Sequence, residues 1–108
     1  MMDKIIKTIR YVELLEIYKS QLTHTQQEML ESYFQFDLSL SEIAENKNIS
    51  RAAVEDALKK GIQKLDSLEA SLHILEKKEK ILKIIANIKE NSTNPDLIHD
   101  FDELERIL

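Results

Sequence analysis

The 108-residue chain contains no cysteine and no tryptophan, one glycine (Gly61) and one proline (Pro95). Each absence closes off a class of function. Without cysteine there is no thiolate nucleophile, no disulfide and none of the common structural zinc sites, and the chain suits a reducing compartment. A single glycine cannot build the glycine-rich turn of a P-loop or a dinucleotide-binding fold. No apolar run approaches the roughly 20 residues that span a bilayer, and no charged, apolar and small-residue leader opens the sequence. A cytoplasmic protein without membrane insertion is expected. Catalytic groupings are missing too. His24, His73 and His99 are widely separated, and the one conceivable ligand grouping, His99 with Asp102 or Glu103, is a lone histidine among carboxylates on an acidic helix and reads as solvated. No enzyme activity, cofactor or metal is therefore expected.

What the chain does have is leucine, isoleucine, glutamate and lysine in abundance, a composition that favours helix throughout. The fold class expected is all-α, a bundle of about five helices in a single domain over residues 1–108. Residues 22–66 would form its core and 67–108 a long-helix extension with a C-terminal helix. No glycine- or serine-rich linker and no internal repeat divides it.

The most informative stretch runs from Leu40 to Leu58. Ser39 followed by Glu42 is the spacing of a capping box, which satisfies orphan N–H groups at a helix start. Ile43 and Ala44 give a small buried face. Asn46, Lys47 and Asn48 make the break, with Asn48 placed for the left-handed conformation that asparagine tolerates. Ile49 is expected to return to the core. Ser50 suits the N-cap of a second helix whose buried side holds Val54, Ala57 and Leu58. Two helices joined by so short a turn make a helix-turn-helix.

Upstream, residues 3–20 read as an amphipathic helix with a wide apolar stripe of Ile5, Ile6, Ile9, Tyr11, Val12, Leu14, Leu15 and Tyr18. Thr23 with Gln26 forms another capping box, and Met29, Leu30, Tyr33 and Phe34 stripe a helix ending near Phe36. Downstream, helical periodicity continues from Arg51 to Asn91 with no obvious stop. About 40 residues of helix would be on the order of 60 Å long. Such a helix breaks near Gly61 or around Glu76–Lys80, or packs its far end on something else. Leu65, Leu68, Leu72 and Leu75 face either the chain's own helices or a dimer partner; their spacing allows both. Asn94 as N-cap and Pro95 at the first helical position start the last helix, whose apolar face is Leu97, Ile98, Phe101, Leu104, Ile107 and Leu108.

Charge is uneven. Residues 22–49 and residues 91–108 each carry one basic and five acidic side chains, whereas 50–90 carries nine basic and seven acidic. Basic character thus collects on the second helix of the motif and its continuation. There Ser50, Arg51, Lys59 and Lys60 form the candidate nucleic-acid-binding set. Ser50 and the helix N-terminus suit a phosphate, Arg51 a guanine edge or phosphate, and the two lysines phosphates. Glu55 and Asp56 work against this, because a carboxylate in the groove accepts only from cytosine N4 and is repelled by the backbone. Modest DNA binding, or reuse of the fold for protein contacts, is the consequence.

Leu22, Thr23 and Gln26, then Leu40 to Ala44, Ile49 to Arg51 and Val54, resemble region 4 of bacterial sigma factors, a helix-turn-helix domain that contacts promoter elements. The closer resemblance is to the YlxM family of small helix-turn-helix proteins and covers nearly the whole chain. It is carried by LEIYKSQLT before the first cap, the SLSEIA box, SRAAVEDALKK, and Asn94-Pro95 with Leu97 and Ile98 behind them. This resemblance implies a regulator or accessory factor of the signal recognition particle pathway, since the family's genes lie beside those for the particle's GTPase and its receptor. Ser50 and Arg51 match the family pattern, and Lys59 and Lys60 match it as basic residues. Where relatives commonly carry Gln and Tyr, this chain has Ala52 and Glu55. Two functions follow from different classes. One is a DNA-binding regulatory protein, dimerising through the long helix and the C-terminal helix. The other is a helical adaptor that contacts a signal recognition particle protein or RNA.

Overall fold

The computed structural model describes residues 2–108, which form six α-helices and no strand. The helices gather into two compact units, one ending at Leu72 and one comprising His73–Leu108.

The first unit opens with α1 (Met2–Tyr18), followed by a tight turn at Lys19–Gln21. Its C-terminal half enters the core through Tyr11, Leu14, Leu15 and Tyr18. The N-terminal half of the expected stripe does not: Ile5, Ile6 and Ile9 each keep more than half of their surface exposed. Thr23 caps α2 (His24–Leu30) through the reciprocal box expected from its spacing with Gln26. The helix then widens into a π turn at Glu31–Gln35. Its terminus is set by Asp37, whose φ of 53° is left-handed and which leaves Phe36 largely exposed. Met29, Leu30 and Phe34 point inward, and the Phe34 ring stacks on Tyr11 with centroids 5.1 Å apart.

The next two helices are α3 (Leu40–Lys47) and α4 (Arg51–Leu72). α4 lies against α1, α2 and α3, with Val54, Leu58, Gly61 and Leu65 buried. Two phenols from α1 anchor its far half. Tyr11 donates to the Asp66 carboxylate at 3.0 Å, and Tyr18 donates to Glu69 at 2.6 Å, in a position where Glu69 is only 6% exposed. Gly61 is not a break: it sits mid-helix where α4 passes closest to Leu30 of α2. Nor does the helix stop at Glu76–Lys80. It ends at Leu72, and His73 adopts the left-handed conformation (φ 54°, ψ 32°) before α5 (Ile74–Glu90) begins. This break accounts for six helices where about five were expected. The leucine ladder is divided by burial. Leu65 and Leu75 are 0% and 1% exposed, so they are core residues and offer no free seam, while Leu72 is 46% exposed.

In the second unit α5 packs on α6 (Pro95–Ile107), and the helices are joined at Asn91 to Asn94. Asn94 caps α6 as expected, accepting from the Asp96 N–H at 3.0 Å with Pro95 in the first turn. Lys89 bridges Asp102 at 2.5 Å and Glu105 at 3.4 Å. Among the described residues no helix is long and apolar enough to cross a membrane.

Candidate nucleic-acid interface

Both ends of α3 and the start of α4 are built by local chemistry. Ser39 Oγ accepts from the Glu42 N–H at 3.1 Å, and the Glu42 carboxylate accepts from the Ser39 N–H at 3.0 Å. Those contacts, the backbone N–H first, hold the Glu42 carboxyl below its ordinary range. At the other end Asn48 is left-handed (φ 54°, ψ 47°), as its position demanded. The Asn48 N–H returns to the Glu45 carbonyl and the Ile49 N–H to the Ala44 carbonyl, so the last carbonyls of α3 are satisfied in a Schellman turn. The break is therefore shorter than expected, since Asn46 and Lys47 remain helical. Ile49 keeps 39% of its surface exposed and does not drop into the core; Ile43 and Val54 close it instead. Ser50 then caps α4, accepting from the Ala53 N–H at 3.0 Å.

The candidate residues fall in two places on α4. Ser50 and Arg51 stand at its exposed N-terminus. Lys59 and Lys60 lie two turns on, about 12 Å along the axis. At 3.6 residues per turn Lys59 lies about 80° and Lys60 about 180° around the helix from Arg51, so the four neither share one face nor converge on one point. Two of the three cations are already engaged. Arg51 Nε is 3.4 Å from Glu55, and Lys60 Nζ is 3.0 Å from Asp56, both one turn apart and both well exposed. Exposed pairs of this kind contribute only about 0–1 kcal/mol, so a phosphate can displace them. Between them, Ala52 and Ala53 present small, exposed, featureless surface.

A further contact, invisible to local reading, ties the motif to the helix before it. Lys47 at the end of α3 bridges Glu28 of α2, which also meets His24 at 2.6 Å. The Lys47 ammonium is the main reason the Glu28 carboxyl is held below its usual range. The His24 to Glu28 spacing of four was legible; the partner from α3 was not. A cleft of about 700 Å³ opens beside this motif, floored by Tyr33, Phe34, Leu38, Leu40 and Ile62. Its lining carries both signs, with Lys4 and Lys7 as well as Asp3, Asp37 and Glu42. His99 lies by an open hollow with Asp102 and Glu105, but Lys89 occupies both carboxylates. Among the described residues no group of three or more potential metal ligands is assembled.

The family model described as "Putative helix-turn-helix protein, YlxM / p13 like" matches residues 5–104. The chain belongs to this family. A UPF0122 protein of Fusobacterium nucleatum is 43% identical over 89 residues, covering 82% of this chain and 86% of its own. One from Mycoplasma capricolum is 45% identical over 85 residues, covering 79% and 75% respectively. A third, from Acetivibrio thermocellus, is 36% identical over 110 residues and covers 98% and 92%. Similarity to these YlxM-family proteins extends over both units, so the helices after Leu72 are as much part of the family's design as the helix-turn-helix.

Proposed function

We propose that this YlxM-family protein is a cytoplasmic, homodimeric, non-enzymatic regulator that binds nucleic acid through its helix-turn-helix and acts in the signal recognition particle pathway. The whole of residues 1–108 serves as one functional domain. The observation that carries the reading is the exposed N-terminus of α4, with Ser50 at the cap and Arg51 beside it 64% exposed at its side chain. Lys59 and Lys60 add phosphate contacts further along, on different flanks of the same helix. The place in the export pathway is carried by the resemblance alone.

Two to four phosphate contacts give a log–log salt slope of roughly −2 to −4. Binding of the full chain to labelled duplex DNA and to hairpin RNA, measured by anisotropy across a salt series, tests this directly. Arg51→Glu should weaken binding roughly tenfold, about 1.4 kcal/mol, and flatten the slope. No binding to any duplex or hairpin at low salt would sink the proposal.

A second reading has its own observation. Glu55 and Asp56 neutralise Arg51 and Lys60 on the helix itself, which suits an adaptor meeting a basic protein surface. The double substitution Glu55→Lys with Asp56→Lys separates the two. It should strengthen nucleic-acid binding under the first reading and abolish protein binding under the second.

A further inference from the structure

α6 buries none of its residues, yet its side chains divide into distinct sectors around the helix axis. Ile98, Phe101, Asp102 and Glu105 are half-buried and fall, at 3.6 residues per turn, in one sector about 100° wide. Lys89 of α5 reaches both carboxylates of that sector, so this is the flank that α5 covers. Leu97, Leu104 and Ile107 occupy a second sector, about 80° wide, and stand 44%, 45% and 81% exposed. Asp100 lies among them, and Asp96 and Glu103 follow along the edge away from α5; all three are exposed. Among the described residues no cation pairs with Asp96, Asp100 or Glu103, in contrast to Asp102 and Glu105. Arg106, the one Lys or Arg of the helix, falls on a different side.

We infer that this open flank of α6 is a docking surface for a basic amphipathic helix of another protein. A single exposed leucine is ordinary on any surface. Three apolar side chains at i, i+7 and i+10 are the row along which one helix seats on another. The uncompensated carboxylates set the sign of the occupant. It brings an apolar row of its own and lysines or arginines along the edge that meets Asp96, Asp100 and Glu103. α6 of a second copy does not meet this demand, because it would set carboxylate against carboxylate. Nor does α1 of a second copy. Its exposed Ile5, Ile6 and Ile9 run into Glu13 and Glu16 on the same face, while Lys4 and Lys7 lie on the opposite side and line the cleft. The inference goes beyond the nucleic-acid reading, since it uses no residue of α4, and it leaves the homodimer to other surfaces.

The probe is a fluorescein-labelled synthetic helix of about 18 residues, with leucines at the same spacing and lysines along one edge. It is titrated with the full chain and followed by anisotropy. One control peptide carries glutamate in place of each lysine, and another has the same composition in scrambled order. The ordered basic peptide should bind in the micromolar range, more weakly as salt rises, and either control roughly tenfold or more below it. Asp100→Lys with Glu103→Lys should weaken the basic peptide roughly tenfold or more and let the glutamate peptide bind. Leu104→Ser should weaken it several-fold through the apolar row. Glu55→Lys with Asp56→Lys, an acidic pair elsewhere, and Arg51→Glu should both leave it unchanged, so this inference and the nucleic-acid reading fail separately. The substituted sites are exposed, and circular dichroism checks that the variants remain folded. Equal binding of the ordered and scrambled peptides overturns the inference, as does indifference to the α6 substitutions. So does a sedimentation mass of the chain alone that falls on Leu104→Ser, which would put a second copy on this flank.

Discussion

Glycine in the middle of a helix costs about 1 kcal/mol relative to alanine, yet Gly61→Ala is expected to destabilise this protein. A Cβ at position 61 would stand 3.0 Å from Leu30 Cδ1, 3.2 Å from its Cγ and 3.4 Å from its Cδ2. Carbon atoms prefer roughly 3.5–4.0 Å, so Leu30 must give by a few tenths of an ångström, at Cδ1 and Cγ above all. Rotation about χ2 moves the two methyl carbons but leaves Cγ where it is. Relief requires a new χ1 or a separation of α2 from α4. Leu30 is fully buried, so its shift must be taken up by the packed core around it. Overpacking of this kind costs about 1–3 kcal/mol, against which the helix recovers about 1 kcal/mol. The net expected loss is about 1 kcal/mol, or a fall in Tm of ~4–8 °C for a domain near this size. Urea and thermal unfolding followed by circular dichroism would measure it. The sharper check is the double-mutant cycle with Leu30→Ala, which removes the offending atoms. In that background Gly61→Ala should become stabilising by about 1 kcal/mol, the helix-propensity gain left alone. A wild-type background that is stabilised by Gly61→Ala would refute the close approach of α2 and α4.

Tyr18→Phe removes the 2.6 Å donor to buried Glu69; hydrogen bonds to charged groups contribute about 1.5–3 kcal/mol, and a loss of that size in urea unfolding is expected. Stability should also fall at both ends of the pH scale. Carboxyls of Glu42, Glu28, Glu76 and Asp102 are held below their ordinary values of 4.5 (Glu) and 3.8 (Asp), chiefly by the Ser39 N–H, Lys47, Lys80 and Lys89 respectively. The unfolded chain binds protons more tightly at these groups, so their contribution is complete above those values and lost as pH drops through them. Lys89 is raised above its usual 10.5, first by the Asp102 hydrogen bond, so its contribution is complete below that value and lost as pH climbs past it. A urea midpoint that rises on acidification through the carboxylate range would contradict this.

Elements decided by chemistry within a few residues were legible in the sequence. The capping boxes at Thr23 and Ser39, the left-handed Asn48, the Ser50 cap and the Asn94-Pro95 start each depend on side chains meeting their own backbone, and all form as expected. What was not legible depends on how far the chain turns or where it is covered. His73 breaks the long helix without glycine or proline, helped by its contact to Glu76 at 2.9 Å. The π turn at Glu31–Gln35 inserts extra residue into the helical period and turns Phe36 outward, which no 3.6-residue template anticipates. Periodicity placed Ile5, Ile6 and Ile9 on the same face as Tyr11 and Leu14, but a stripe records only which residues could be buried together. The leucines from 65 to 75 show the same limit: identical in type and spaced by alternating threes and fours, they divide between core and surface.

Glu55 and Asp56 were readable as an obstacle to DNA, and the geometry changes what kind of obstacle they are. Each sits one turn from a cation it can hold, so Arg51 and Lys60 are not simply beside repulsive charges but occupied by them. A phosphate that takes Arg51 must release Glu55 into the negative field of the same backbone, and the same holds for Lys60 and Asp56. Recruiting either of these two cations therefore frees an anion nearby, and the gain per contact falls below that of an unpaired lysine such as those on a plainly basic helix. The exchange depends on neither base identity nor groove sequence, and with Ala52 and Ala53 between them the helix offers little to read a base edge. What this helix keeps undiminished is its capped N-terminus and the shape of the motif. Under the proposed function such a surface would recognise backbone geometry more than sequence, a property that suits a structured RNA hairpin at least as well as a duplex promoter.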